Sequence, residues 1–390
     1  MRSTLSRAAL ALCLLAPVAC TFEAEDQGSP DATETADRDA GPDSMASRDP
    51  APGQNADAGP PDAEARPVMQ AQVVLERLGF GTGVIDGEPS QSFANALRGF
   101  QESRGLPITG EFDEATRAAL EQWSNIPATR VVTIPASWAE TTYTPLPEDV
   151  AERAQLPRLG YESFAERLAE RFHTTPVVLA RLNPGGRPAE PGSGVAANAS
   201  PAPSPGPAAK MQFTPGQQVR VPNVGADAIA AATIDDRDWL ATLRSLGVGS
   251  QQPEVARIRV DESAGWLKAY DVEDRLVAMF TVTTGSQQDP LPIGDWQVKG
   301  VAYNPTYSFN PELLKGVPDS KAKRQLPPGP NGPVGVVWID LSKEHYGIHG
   351  TPAPDAIGRT QSNGCVRLTN WDAARLALMV SVRTKVEFRT

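Results

Sequence analysis

The chain has 390 residues, 47 of them acidic and 36 basic, with a formal charge of −11 and a hydrophobic fraction of 40%. That length fits three modest domains, each with its own core, joined by linkers, and the absence of a basic stripe with interleaved aromatics argues against a nucleic-acid partner. Of the three cysteines, Cys13, Cys20 and Cys365, only the last lies beyond the N-terminal leader. Exported proteins usually pair their cysteines, so an isolated one with a histidine close upstream is a candidate nucleophile.

Residues 1–20 read as an export signal: Arg2 and Arg7 precede an apolar stretch, 8–16, that ends in Pro17-Val18-Ala19-Cys20 and is too short to span a bilayer. The leader resembles that of bacterial lipoproteins, which implies acylation of Cys20 and a lipid anchor in a membrane. Pro17 stands where those leaders carry an aliphatic residue, and ordinary cleavage near Ala19 or Ala24 is the alternative. Residues 21–66 are rich in Asp, Ala, Pro, Gly and Ser, a composition that buries too little surface to offset ordering entropy, so a disordered acidic linker is expected. With twelve acidic and three basic residues it holds most of the net charge, and the acidity says little about substrate.

Helical periodicity appears over 68–78, 93–101 and 115–123, with glycine turns between. Ile85-Asp86-Gly87, Ala96-Leu97-Arg98-Gly99-Phe100-Gln101 and Leu106-Pro107-Ile108-Thr109-Gly110 form a repeated loop–helix signature. Asp86 and Asp113 suit turn or N-cap positions. This pattern resembles the peptidoglycan-binding-domain-1 family, and 67–125 is expected to be a small wall-binding helical bundle.

Over 130–224 two helices, 163–173 and 175–184, precede a turn and strand at 213–222. Leu182-Asn183-Pro184 and Pro215-Gly216-Gln217-Gln218-Val219-Arg220-Val221-Pro222 resemble the LysM module, with a Pro/Ala/Gly-rich insertion over 185–210 and a weak opening strand. His173 ends the first helix, where it suits the helix dipole and receives no catalytic role.

Short strands with turns dominate 254–390: 256–260, 266–270, 276–282, 296–301, 334–340, 346–350 and 384–388, with one helix at 371–379. The fold expected is multidomain α+β, with this last domain mainly β, sandwich- or barrel-like. His345 and His349 are four apart, the spacing of two metal ligands on a helix, but they fall on a strand pattern without a third ligand, and no metal is expected. The turn-rich stretch 304–332 reads as an active-site flap. Tyr303, Tyr307 and Trp338 are placed to line the approach to the cysteine, although aromatics on short strands more often pack across strands.

Pro290-Leu291-Pro292-Ile293-Gly294-Asp295-Trp296, Ile348-His349-Gly350-Thr351 and Ser362-Asn363-Gly364-Cys365-Val366-Arg367-Leu368 resemble the L,D-transpeptidase catalytic domain, the YkuD family. Many members carry histidine where this chain has Asn363. The resemblance implies that Cys365 is the nucleophile, His349 its proton acceptor and donor, and Gly350 the carbonyl that holds the imidazole tautomer. A thiolate–imidazolium pair oriented by a third acceptor is the chemistry such a set supplies. Gly364 is expected to let its own N–H and that of Cys365 converge on an oxyanion. Arg367 is expected to pair with a substrate carboxylate and to lower the cysteine pKa, with Ser362, Asn363 and Thr351 also at the substrate.

The implied reaction attacks the diaminopimelate carbonyl of a tetrapeptide stem, releases D-Ala, and hands the acyl group to an amine, giving a 3→3 cross-link or attachment of a wall protein. Peptidoglycan stem peptides and glycan are the implied partners, and no cofactor is required. Two alternatives stay open: a carboxypeptidase or hydrolase using the same thioester, and a non-catalytic wall-anchoring protein.

Overall fold

A computed structural model describes residues 61–189, 213–224, 229–286, 289–313, 322–362 and 364–390. The leader with Cys20, most of the acidic linker, most of the 185–210 insertion and Asn363 lie outside the described residues.

The first bundle comprises α1 (Pro67–Leu78), α2 (Gln91–Ser103) and α3 (Glu114–Leu120). Pro67 starts α1 where a missing N–H costs nothing, and Gly79 ends it in the left-handed region at φ 102°. Ser90 caps α2 and Asp113 caps α3 by accepting from the N–H groups of Phe93 and Thr116. Asp86 instead builds a turn, accepting from the Glu88 N–H at 2.9 Å. The repeated loops are braced alike: Gln72 Oε1 accepts from the Gly87 N–H at 2.7 Å, and Gln101 Oε1 from the Gly110 N–H at 2.8 Å.

Next come β1 (Thr129–Thr133), α4 (Val150–Arg153), α5 (Phe164–Arg171), α6 (Pro176–Leu182) and β2 (Gln218–Pro222). The two strands pair antiparallel from Thr129↔Pro222 to Thr133↔Gln218 and bracket the helices. Asn183 stitches α6 to β2, with Oδ1 accepting from the Arg220 N–H at 2.7 Å and Nδ2 donating to the Arg220 carbonyl at 2.8 Å. A further helix absent from the sequence reading, α7 (Arg237–Leu246), leads into the last domain.

That domain holds β3 (Arg257–Asp261), β4 (Trp266–Tyr270), β5 (Leu276–Thr281), β6 (Gly294–Tyr303), β7 (Tyr307–Phe309), β8 (Arg324–Leu326), β9 (Val337–Leu341), β10 (Gly347–His349), β11 (Val366–Arg367), α8 (Asn370–Met379) and β12 (Lys385–Arg389). Eight strands form one sheet in the order β11-β10-β9-β6-β12-β3-β4-β5. The long β6 pairs with β12 through its first half and with β9 through its second. Just past β5, Thr283 and Arg367 exchange N–H···O bonds of 2.8 and 3.0 Å, so the first and last strands meet and the curled sheet closes. The expected strand over 334–340 begins only at Val337, because Gly335 turns the chain at φ 60°.

Within the expected flap stretch, β7 and β8 pair antiparallel as a hairpin. Phe309 and Leu326 of this hairpin share a small core with Leu159, flanked by Leu146, Val150, Ala154 and Leu156 of the middle segment. Leu159 also pairs through its backbone with Pro328 (2.9 Å) and Asn331 (3.1 Å).

The pieces pack directly on one another. The Gly81 N–H donates to the Met279 carbonyl at 2.8 Å, and Asn95 of α2 reaches Thr281 of β5 at 3.2 Å. Glu76 of α1 meets Arg375 of α8 at 2.9 Å and His173 at 3.2 Å, all buried. His173 stacks on Trp371 with ring centroids 4.8 Å apart, so it fills a junction and does not serve a helix end. Among the described residues no helix is long and apolar enough to cross a membrane.

Candidate active site

His349 closes β10 and Cys365 immediately precedes β11. The two strands run parallel with His349 opposite Arg367, and the Leu368 N–H donates to the His349 carbonyl at 2.9 Å. The imidazole is 3% exposed, and its Nδ1 lies 2.7 Å from the Gly350 carbonyl. A carbonyl only accepts, so Nδ1 carries the proton and Nε2 is left as the basic position. Trp338 stacks on the ring at 5.6 Å between centroids and fixes its plane.

The loop before Cys365 is tied to itself. Ser362 Oγ donates to the Cys365 carbonyl at 2.6 Å and accepts from the Gly364 N–H at 3.1 Å, while the Ser362 N–H donates to the Thr284 carbonyl at 2.8 Å. The Gly364 N–H, expected at an oxyanion, is therefore committed to Ser362. Gly364 sits at φ 101°, and a Cβ there would lie 2.7 Å from the Tyr346 ring, so shape as well as backbone conformation demands glycine. Tyr346 was not singled out in the sequence; a contact 18 positions away leaves no local pattern.

Cys365 is partly buried, with its Sγ 4.0 Å from the His345 carbonyl. Burial raises its pKa above the ordinary 9.0, against smaller lowering effects from the Gly347 N–H and Arg367. Burial likewise depresses His349 to about 4, with the Gly350 bond opposing and Arg367 assisting. At neutral pH the site thus holds a thiol and a neutral imidazole. The expected thiolate–imidazolium pair is not the resting state, because two charges are costly to strip of water here. Arg367 lowers the thiol pKa, as expected, but burial outweighs it.

Arg367 is the charged group that Cys365, His349 and Tyr307 all sense. Its Nε is buried with no hydrogen-bond partner among the described residues, as suits a cation awaiting an anion. Of the other residues expected at the substrate, Ser362 spends its hydroxyl on the loop, and Thr351 Oγ1 accepts from the Ala353 N–H at 3.3 Å. Tyr307 stands close enough to Cys365 for its own pKa to rise, first through burial and then through that thiol. Tyr303 is stacked on Trp239 of α7 at 4.4 Å. Among the described residues no group of three or more His, Cys, Asp or Glu is arranged to hold a metal ion.

With a closed β domain, a buried Cys/His site and a helical bundle described, the class of each part follows from comparison. Residues 256–388 match the family described as the L,D-transpeptidase catalytic domain (YkuD), and residues 64–120 match the "Putative peptidoglycan binding domain". The chain is similar to the "Putative L,D-transpeptidase YkuD" of Bacillus licheniformis, 34% identical over 33% of this chain and 63% of that protein. The Bacillus subtilis protein of the same name is 41% identical over 21% of this chain and 57% of its own. The chain thus spans about three fifths of the length of these relatives. A solved L,D-transpeptidase from Mycobacterium smegmatis is 20% identical, with 35% of this chain and 59% of that one covered at a TM-score of 0.29.

Proposed function

We propose that the chain is a peptidoglycan L,D-transpeptidase of the cell envelope, with Cys365 as nucleophile. The observation that carries the reading is the Nδ1–H of His349 held by Gly350, which leaves Nε2 bare beside the strand that follows the lone cysteine. The family match over 256–388 supports the reaction class.

Starting from a neutral pair, Sγ gives its proton to His349 Nε2 as it bonds to the diaminopimelate carbonyl carbon of a stem tetrapeptide, so charge forms only as the transition state does. The proton then passes to the departing D-Ala nitrogen, leaving a thioester on Cys365. An amine attacks the thioester, loses its proton to Nε2, and the thiol is restored as that proton returns to sulfur. A stem amine as acceptor gives a 3→3 cross-link, and a protein lysine attaches that protein to the wall. Arg367 binds a carboxylate of the stem through its planar fork. The Cys365 N–H is the oxyanion donor, since the Gly364 N–H is spent on Ser362. Residues 67–125 hold wall polymer, the LysM-like segment 130–224 assists, and the leader exports the chain, with Cys20 lipidated.

Incubation with disaccharide-tetrapeptide, followed by intact-protein mass spectrometry and muropeptide chromatography, tests this. An acyl adduct lost in Cys365→Ala, together with cross-linked dimer, is expected. An adduct that yields only tripeptide makes the chain a hydrolase, and no adduct at all leaves it a wall-anchoring protein.

A further inference from the structure

The turn that fixes the His349 tautomer packs against a buried amide that has one of its hydrogen-bond partners outside residues 256–388. Asn370, at the start of α8, is fully buried. Its Nδ2 donates to Glu170 Oε1 at 2.7 Å and to the Pro330 carbonyl at 3.0 Å, and its Oδ1 accepts from the Val336 N–H at 3.3 Å. A side chain at either Gly335 or Gly350 would run into that Oδ1, so the Asn370 amide occupies the space both glycines leave open. The Gly350 N–H has only a long bond of 3.4 Å to the Val337 carbonyl, so packing of the Gly350 Cα against Asn370 is a principal restraint on the residue whose carbonyl accepts from the imidazole.

An amide is nearly symmetric in shape, and its direction is decided by its partners. Glu170 lies on α5 in the middle segment, and its Oε1 and the Pro330 carbonyl both accept from Nδ2, so Nδ2 faces these two and Oδ1 faces Val336 and Gly350. Without Glu170, Nδ2 keeps only the 3.0 Å bond to Pro330, so the amide is held less firmly and the Gly350 turn it packs against loosens.

We propose that Asn370 and Glu170 are positioning residues for His349, through which the middle segment sets the proton carrier of the acyl-transfer site. This rests on the reading of His349 as that carrier. Residues 256–388 alone are then an incomplete catalytic unit.

The test uses the full chain with 15N-labelled histidine, the wild type compared with Glu170→Leu and Glu170→Gln. In the wild type the His349 nitrogens should show the Nδ1–H tautomer. Glu170→Leu should mix the tautomers and lower kcat about tenfold with KM within about twofold, as a small misplacement of a reacting group does. Glu170→Gln, which keeps an acceptor, should restore most of both. Asn370→Ser removes both arms of the amide and should reproduce the Glu170→Leu signature, which keeps the test open if the leucine variant does not fold. Wild-type tautomer and kcat in Glu170→Leu or Asn370→Ser, or equal losses in Glu170→Leu and Glu170→Gln, overturn the proposal. If the wild-type chain forms no acyl adduct, the transfer reading fails, while the tautomer signature, which needs no substrate, still decides the positioning role.

Discussion

A thiol is a poor nucleophile until it gives up its proton, and around Cys365 burial outweighs the Gly347 N–H and Arg367 that would draw that proton off in advance. Burial raises the cysteine above 9.0 and holds His349 near 4, so across the neutral range both groups are uncharged. A neutral thiol resists the adventitious oxidation that a standing thiolate invites. The ultraviolet difference spectrum between wild type and Cys365→Ala should show the thiolate band only above pH 9.0. A band already present at pH 7 would mean that a pre-formed ion pair is the resting state after all. At this scale the sequence was informative where a residue type is rare: a lone cysteine and a histidine before a glycine stand out in any chain. Tyr346 under Gly364 and Glu170 behind Asn370 were not legible, since each acts by a contact whose partner is remote in the chain.

Among the elements, the two most important for the site are short. β11 is only two residues long, yet it is bonded on one side to β10 and on the other to Thr283, so the backbone just after the nucleophile is held from both flanks. The β7–β8 hairpin, which brings Tyr307 toward Cys365, depends on Leu159 for its back. Leu159→Ala should cost about 2–4 kcal/mol in denaturant unfolding. It should also expose the hairpin to limited proteolysis and slow acylation, without moving the onset of the thiolate band. Unchanged proteolysis and acylation would show that the hairpin stands by itself. Regular strands such as β4 were readable from alternation alone. The hairpin and α7 were not: three-residue strands carry too little periodicity to register, and α7, although capped by Asp236, follows an Ala- and Asp-rich run between the two patterned segments.

For the molecule as a whole, the junctions between segments are built from buried polar groups and not from apolar surface alone. Glu170 is the clearest case. Burial raises its pKa to about 7, with the Tyr161 and Asn370 bonds opposing and Glu166 adding to the rise. The folded protein holds this proton more tightly than the unfolded chain, so its contribution is fully present below the ordinary 4.5 and is lost as pH climbs through about 7. Unfolding free energy should fall by up to about 3 kcal/mol across that window. Glu170→Gln should flatten the slope, and a slope that persists in that variant would place its origin in another group. The segments 64–120 and 256–388 that match the two families were legible because each carries its own repeat or strand pattern. The way the segments lock together was not, since Glu76, His173 and Arg375 are individually ordinary surface-type residues. The pairing of Gly81 with the edge of β5 at Met279 has one more consequence. Because the helical bundle continues the sheet and does not dangle from a linker, whatever it grips is offered to Cys365 from one direction and at one reach. Under the proposed transfer reaction the protein would act as a caliper, joining only those partners that lie a set stride from its handhold.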